Sequence, residues 1–332
     1  MNTVSGSAAA QGGDTRRPGG GSGETVAVVG AGLIGRAWAI VFARSGFRVR
    51  LHDQLPAALE NCLATIGERL ADLAHYALIE ESPDTVLARI SIADSLADAV
   101  GQAVLVQENV AEKLEVKREL FTQLDALAPA DAVLASSTSW LPASSFTEHV
   151  PGRARCLVAH PTNPPYLVPL VELAPAPWTS VDTLARAREL YERAGQTPVT
   201  LKKEITGFLL NRVQSAVLSE VFALYRDGYA DAEDIDRVLK DGLALRWSFM
   251  GPFETIDLNA PGGVVDYAQR YGGTYREVAE TAVAFDWDPD TIARLDAERR
   301  SRLPLESIEQ RSAWRDRRLM ALIAHKRGQP ET

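Results

Sequence analysis

The chain has 332 residues, 46% hydrophobic and 24% charged, with a formal net charge of -9. That balance is ordinary for a globular protein, the length points to two domains, and no basic block offsets the acidic excess, which argues against a nucleic-acid partner. No apolar run approaches the ~20 residues that cross a bilayer. The two cysteines, Cys62 and Cys156, lie far apart, with no disulfide framework and no metal-ligand spacing, so neither a membrane nor a metal centre is expected and the cytoplasm is the default compartment.

Residues 1–23 are rich in Gly, Ser and Ala, lack the apolar core of a signal peptide, and read as a disordered leader. Val26–Val29 is a β-branched strand ending in Gly30-Ala31-Gly32-Leu33-Ile34-Gly35, and a helical pattern follows over Arg36–Arg44. A second strand, Arg48–Leu51, ends at His52-Asp53, with Asp53 eighteen residues beyond Gly35. Strand, Gly-x-Gly-x-x-Gly, helix and a following acid together make a dinucleotide fingerprint. The glycines allow the tight turn and the approach of a pyrophosphate, which the helix N-terminus then holds. Asp53 would accept the adenosine ribose hydroxyls and repel a 2′-phosphate, which favours NAD over NADP, though Arg50 and His52 stand nearby.

Pro56–Leu78 reads as one long helix and Glu80–Asp84 as an acidic linker, with a short strand at Ile90–Ile92 and a short helix at Ser95–Val100. Ala103–Val106 is a buried strand leading into Gln107-Glu108-Asn109, and Glu112–Leu127 is an amphipathic helix. Ligands of open parallel sheets sit at strand carboxyl ends. Glu108 and Lys113 therefore face the cofactor or are solvated loop charges. Ala132–Ala135 opens into Ser136-Ser137-Thr138-Ser139-Trp140, hydroxyls able to cap a helix or to bind a substrate oxygen.

Two apolar runs, Cys156–Ala159 and Pro169–Ala174, flank a proline-stiffened turn. His160 ends the first and Glu172 lies inside the second. Buried Glu needs a partner, and a carboxylate beside an imidazole fixes its tautomer and stabilises its protonated form. The pair is either an oriented acid-base or a satisfied structural histidine.

Beyond Leu201 the apolar spacing is helical, from Phe208 through Leu224, with a second helix at Ala232–Lys240. Gly262-Gly263 and Gly272-Gly273 read as turns, and Ile308–Arg327 as a basic terminal helix.

These motifs resemble the 3-hydroxyacyl-CoA dehydrogenase superfamily, most closely its lambda-crystallin/L-gulonate 3-dehydrogenase branch. The resemblance rests on V-V-G-A-G-L-I-G-R-A-W-A, Q-E-N-V-A-E-K-L-E-V-K, S-S-T-S, A-H-P-T-N-P-P-Y-L-V-P-L-V-E-L, E-I-T-G-F-L-L-N-R, L-R-W-S-F-M-G-P-F-E-T and a closing A-W-R-D. It implies an α/β fold: a Rossmann-type doubly wound NAD domain over residues 24–204, then a smaller all-α substrate and dimerisation domain over residues 205–328 that forms a homodimer.

By the same resemblance His160 is the catalytic base and Glu172 the acid that orients it. Ser139 and Asn211 hold the reacting oxygen, and Asn163 lies on the substrate side. Gly30, Gly32, Leu33, Ile34, Gly35 and Asp53 bind NAD, with Glu108 and Lys113 near the nicotinamide ribose. Arg246, in L-R-W-S-F-M-G, is absent from the classical acyl-CoA pattern. A guanidinium grips a free carboxylate in a fork that a thioester does not need, so Arg246 selects a small free 3-hydroxy acid or is merely an arginine at an aromatic helix start. The expected activity is NAD-dependent interconversion of such an acid, L-gulonate-like, and its 3-keto acid. The rivals are a 3-hydroxyacyl-CoA substrate, L-carnitine, and a non-enzymatic NAD-binding crystallin. Asn211 counts against carnitine, whose dehydrogenases carry Asp there. Trp140 stands where the branch has a small residue and leaves the substrate open.

Overall fold

The computed structural model describes Gly23–Gln329. The leader expected over residues 1–23 lies, Gly23 apart, outside the described residues. The eight strands are β1 (Thr25–Val29), β2 (Arg48–His52), β3 (Ile90–Ile92), β4 (Ala103–Glu108), β5 (Val133–Ser136), β6 (Cys156–Pro161), β7 (Leu170–Pro175) and β8 (Thr197–Thr200). They form one sheet in the order β3-β2-β1-β4-β5-β6-β7-β8, parallel at every neighbour except the β6–β7 pair.

Both faces of the sheet are covered, so its strands are apolar on both sides. Val28, Leu105, Val133, Leu157 and Ala159 pack into one core with Trp38, Phe42, Phe47 and Tyr191. Ala27, Val29, Val106, Leu134 and Val158 pack into the other with Phe121 and Phe146. The chain reverses its winding between β1 and β4, and the crevice above that switch point is where such sheets take ligands.

The chain divides into two compact units: residues up to Leu209 together with those from Arg315 onward, and Leu210–Trp314. The Ile308–Arg327 helix, read from the sequence as part of the helical domain, therefore contributes its last turns to the first unit. Burial accounts for this: Met320 is fully enclosed in the sheet's core, and Arg327 donates to the Leu78 carbonyl at 3.3 Å.

Two local expectations change and two elements are added. The helix expected over Pro56–Leu78 is broken at Asn61, whose φ of 58° is left-handed, into Pro56–Leu59 and Cys62–His75. A helix at Val181–Arg193 and the strand β8, which pairs with β7, complete the first unit where the sequence offered no strong signal. Gly272-Gly273 is not a turn but lies inside the helix Gly263–Thr281. Each glycine costs about 1 kcal/mol there relative to Ala, too little to interrupt nineteen helical residues.

The second unit is helical throughout its regular elements: Leu210–Arg226, Ala232–Arg237, Ala244–Trp247, Pro252–Asp257, Gly263–Thr281 and Pro289–Arg302, with a wider π turn at Val238–Leu243. Phe222, Phe285 and Trp287 stack with ring centroids 4.9–5.6 Å apart. Among the described residues, no helix is long and apolar enough to cross a membrane.

Candidate active site

The turn after β1 carries the first half of the site. Gly30 has φ 97°, and a Cβ there would lie 2.7 Å from the Asn109 carbonyl oxygen; at Gly35 it would meet the Gly30 carbonyl oxygen at 1.8 Å. Both positions must be glycine for β1, β4 and the helix α1 (Leu33–Arg44) to approach. Gly32 differs: nothing lies within 4 Å of its missing side chain, and no side chain caps α1. That leaves an open cradle at a helix N-terminus, the place for a pyrophosphate. Leu33 is exposed and Ile34 half-buried at the same turn.

Asp53 sits at the end of β2 and accepts the Ala31 amide at 2.8 Å and the Leu55 amide at 2.9 Å, one on each oxygen. Each oxygen keeps a further lone pair for a ribose hydroxyl. The neighbouring cation is already spent: Arg50 donates to Ser91 at 2.9 Å and pairs with Asp98. His52 turns its Nδ1 to the Ala93 carbonyl at 3.3 Å. Residues 23–53 thus fit NAD, and neither Arg50 nor His52 is aimed at a 2′-phosphate.

The second half is the antiparallel hairpin of β6 and β7. Its register sets His160 directly opposite Glu172, so residues twelve apart in sequence meet side by side. The His160 Nδ1 donates to Glu172 Oε2 at 2.9 Å, both side chains being almost fully buried. The other Glu172 oxygen accepts the Leu209 amide at 2.8 Å. Phe208, fully buried, lays its ring 5.4 Å from the imidazole. Both Gly207 and Phe208 have left-handed φ, 75° and 50°. A bulky residue held there costs of order 1 kcal/mol or more, and here it delivers a ring and an amide to the dyad. The sequence reading counted Phe208 only as helix patterning and did not single out Leu209; the Gly-Phe pair after Thr206 was the signal.

The hydroxyl-rich turn after β5 resolves residue by residue. Ser136 donates to Glu108 at 2.5 Å, Ser137 to Asn109 at 2.7 Å, and Thr138 to Glu112. Thr138 also accepts the Leu141 amide at 2.9 Å, a turn-capping contact. Ser139 follows, half-buried, and Trp140 is 52% exposed.

Glu108 lies wholly inside the protein. Lys117, equally buried, donates to both of its oxygens at 2.9 Å, and the Val110 amide reaches it at 2.7 Å. This carboxylate is committed to an internal ion pair rather than presented to a ligand. The cation that meets it is Lys117, one of the charges on the amphipathic helix, while Lys113 is exposed at the start of that helix. Glu112, 3.8 Å from Lys117, is the exposed acid of the group. Neither Lys117 nor Glu112 stands out in the sequence, where they lie five residues apart across the start of the helix.

Asn163, exposed, begins the proline turn just after His160. Asn211 and Arg246 belong to the second unit, Asn211 in the first turn of Leu210–Arg226 and Arg246 exposed in Ala244–Trp247. The Arg246 charge lies near enough to act on the phenol of Tyr267, whose pKa is raised, first by its hydrogen bond to Tyr275.

A doubly wound sheet with a glycine cradle, an acid at the end of β2 and a buried His–Glu pair at its carboxyl edge defines a nicotinamide-dependent oxidoreductase class. Residues 25–205 match the 3-hydroxyacyl-CoA dehydrogenase NAD-binding domain and residues 207–287 match the C-terminal domain of the same family. The chain belongs to the 3-hydroxyacyl-CoA dehydrogenase family, and NAD is its cofactor. It is 42% identical to a lambda-crystallin homolog of Bos taurus over 92% of this chain and 97% of that one. It is 36% identical to an L-carnitine dehydrogenase of Streptomyces coelicolor over 74% of this chain and 77% of that one. Among solved structures it resembles the NAD+-dependent 5-formyl-3-hydroxy-2-methylpyridine 4-carboxylic acid 5-dehydrogenase, with 26% identity, a TM-score of 0.80, and coverage of 93% of this chain and 100% of that one.

Proposed function

We propose that the protein oxidises a small free 3-hydroxy carboxylate, L-gulonate-like, to its 3-keto acid, and catalyses the reverse reduction. The observation that carries the reading is the buried His160–Glu172 pair at 2.9 Å, on the sheet edge that also holds the NAD cradle. Because Nδ1 gives its proton to Glu172, the imidazole keeps its lone pair on Nε2, where it takes the proton of the substrate hydroxyl. Glu172 holds that tautomer and balances the positive charge that forms. Bound NAD supplies the acceptor for the carbinol hydride. Ser139 and Asn211 donate to the substrate oxygen near its product position, Asn163 lines the substrate side, and Lys113 stays on the cofactor side. In reduction His160 Nε2 returns the proton.

Arg246 carries the choice of a free acid, as a fork for a carboxylate. Two of the similar proteins bear carboxylates in their named substrates, carnitine and the pyridine carboxylic acid, which supports the same choice. The family name itself favours the second reading, a 3-hydroxyacyl-CoA thioester. Residues such as Val213, Phe249 and Phe253, 65%, 69% and 82% exposed on the helical unit, support a homodimer formed through that unit. Its formation is checked by the mass of the protein in solution.

The deciding experiment is NAD-dependent oxidation of L-gulonate, 3-hydroxybutyrate, L-carnitine and 3-hydroxybutyryl-CoA side by side. The expected result is turnover of a free hydroxy acid with higher kcat/KM than the thioester. Faster thioester oxidation would replace the free acid with the acyl-CoA reading, and NADH binding without any turnover would favour a non-enzymatic role.

A further inference from the structure

Gln107, at the carboxyl end of β4, is fully buried, and neither the cofactor cradle nor the acid-base pair uses it. Its carboxamide is connected at every polar atom. The oxygen accepts from the hydroxyl of Tyr191 on the Val181–Arg193 helix. The nitrogen donates to Ser137 Oγ at 2.7 Å and to the Ala159 carbonyl at 3.4 Å. The Ala159 carbonyl, which can only accept, fixes which end of the amide is the nitrogen, and leaves the oxygen to the Tyr191 hydroxyl.

The rest of the chain of bonds then has one solution. Ser137 Oγ accepts from Gln107 and from the Trp38 indole at 3.0 Å, so its own proton goes to Asn109 Oδ1 at 2.7 Å. That in turn directs the Asn109 amide nitrogen to the Gln107 carbonyl at 2.8 Å. One side chain therefore ties three strand ends together: its own, the turn two residues before Ser139, and the carbonyl immediately before His160.

We propose that Gln107 is a positioning residue that sets Ser139 relative to His160, with Tyr191 as the donor that satisfies its amide oxygen. The inference rests on the dehydrogenase reading above, since it needs both groups to act on one oxygen. A networked amide of this kind resists displacement because each lost bond leaves a buried polar atom unpaired. A small error in the placement of reacting groups is felt strongly in rate.

The test pairs a kinetic cycle with hydrogen exchange on the full-length protein. Gln107→Leu removes the bonds at similar volume. It is expected to lower kcat about tenfold with KM for NAD unchanged within about twofold, and to speed amide exchange across residues 137–141. In a Ser139→Ala background the same substitution is expected to cost less than about twofold, because residues acting as a unit are not additive. Should Gln107→Leu fail to fold, Tyr191→Phe, which leaves the buried amide oxygen without its donor, carries the same two measurements with a smaller effect.

An unchanged exchange rate overturns the positioning role whatever the activity does. So does a tenfold loss that repeats in full without Ser139. If His160→Gln is as active as the native chain, the dehydrogenase reading falls instead, and the exchange result alone decides whether Gln107 holds the loop.

Discussion

The Leu209 amide donates to Glu172 at 2.8 Å, on the oxygen opposite the one that takes the His160 proton at 2.9 Å. The buried acid is therefore an acceptor on both sides, and only a carboxylate accepts at both of its terminal atoms. In Glu172→Gln one of the two must face an NH2 group. Turnover should fall by about ten- to a hundredfold while NADH affinity holds, and His160→Gln should lose a hundredfold or more. Steady-state rates with NADH titration check both, and an active His160→Gln protein would sink the assignment.

Lys117→Met leaves Glu108 as a buried anion with only the Ser136 hydroxyl and the Val110 amide beside it. Breaking one half of a buried pair typically costs about 3–5 kcal/mol, and the expected result is a loss of that order in chemical denaturation. Adding Glu108→Gln should restore part of it, because the stranded charge is then gone. A surface-sized loss below about 0.5 kcal/mol would contradict the burial.

Alkaline stability follows from Tyr166. Burial, with Asp316 beside it, pushes its phenol from 10.0 up to about 12. A group with a raised folded-state pKa stabilises fully below its unfolded value and loses that stabilisation as pH climbs through the folded one. The window is therefore pH 10 to about 12. Burial pushes Cys156 from 9.0 to about 12, which acts in the same direction. Arg44, brought down from 12.5 to about 10 by burial and by Arg327, opposes them over its own interval. Denaturation midpoints should fall across this window. Tyr166→Phe should flatten the slope by up to about 1.4 kcal/mol per pH unit, which a series of urea titrations measures.

Arg246→Ala should raise KM for a free hydroxy acid by about tenfold or more, the loss of a charge-assisted pair, and leave KM for the matching CoA thioester within about twofold. Equal increases for both would remove the carboxylate role. Trp140→Ala, read in the same assay, reports whether the indole beside Ser139 narrows the choice of substrate.

Much of the first unit was legible because its signals are local. Gly30, Gly35 and Asp53 declare a turn and a strand end, and the apolar runs around His160 and Glu172 declare a hairpin. The boundaries of Ile308–Arg327 were readable as well. What escaped depends on contacts distant in sequence. The strand β8 is four residues, T-P-V-T, with a proline inside, and only its pairing with β7 makes it a strand. Gly272-Gly273 punctuates most chains, and here the surrounding helix absorbs it. Glu108 reads as a cofactor contact because the partner that claims it, Lys117, lies nine residues on, one turn into the next helix. The hydroxyls of Ser136, Ser137 and Thr138 look alike in sequence, and only the fold shows which acceptor each one meets.

Asp53 has a structural debt. Asp53 cannot be exchanged for a neutral side chain without also releasing the Ala31 and Leu55 amides that shape the turns on either side of the cradle. With Asp53 in the ribose-binding role that the sequence implies, coenzyme preference and the shape of the Gly-rich turn become one property, set by one carboxylate. Arg246 and Trp140, by contrast, are exposed and can vary at little cost to the fold. On the roles proposed for these residues, substrate choice can change on this scaffold with less structural cost than coenzyme choice.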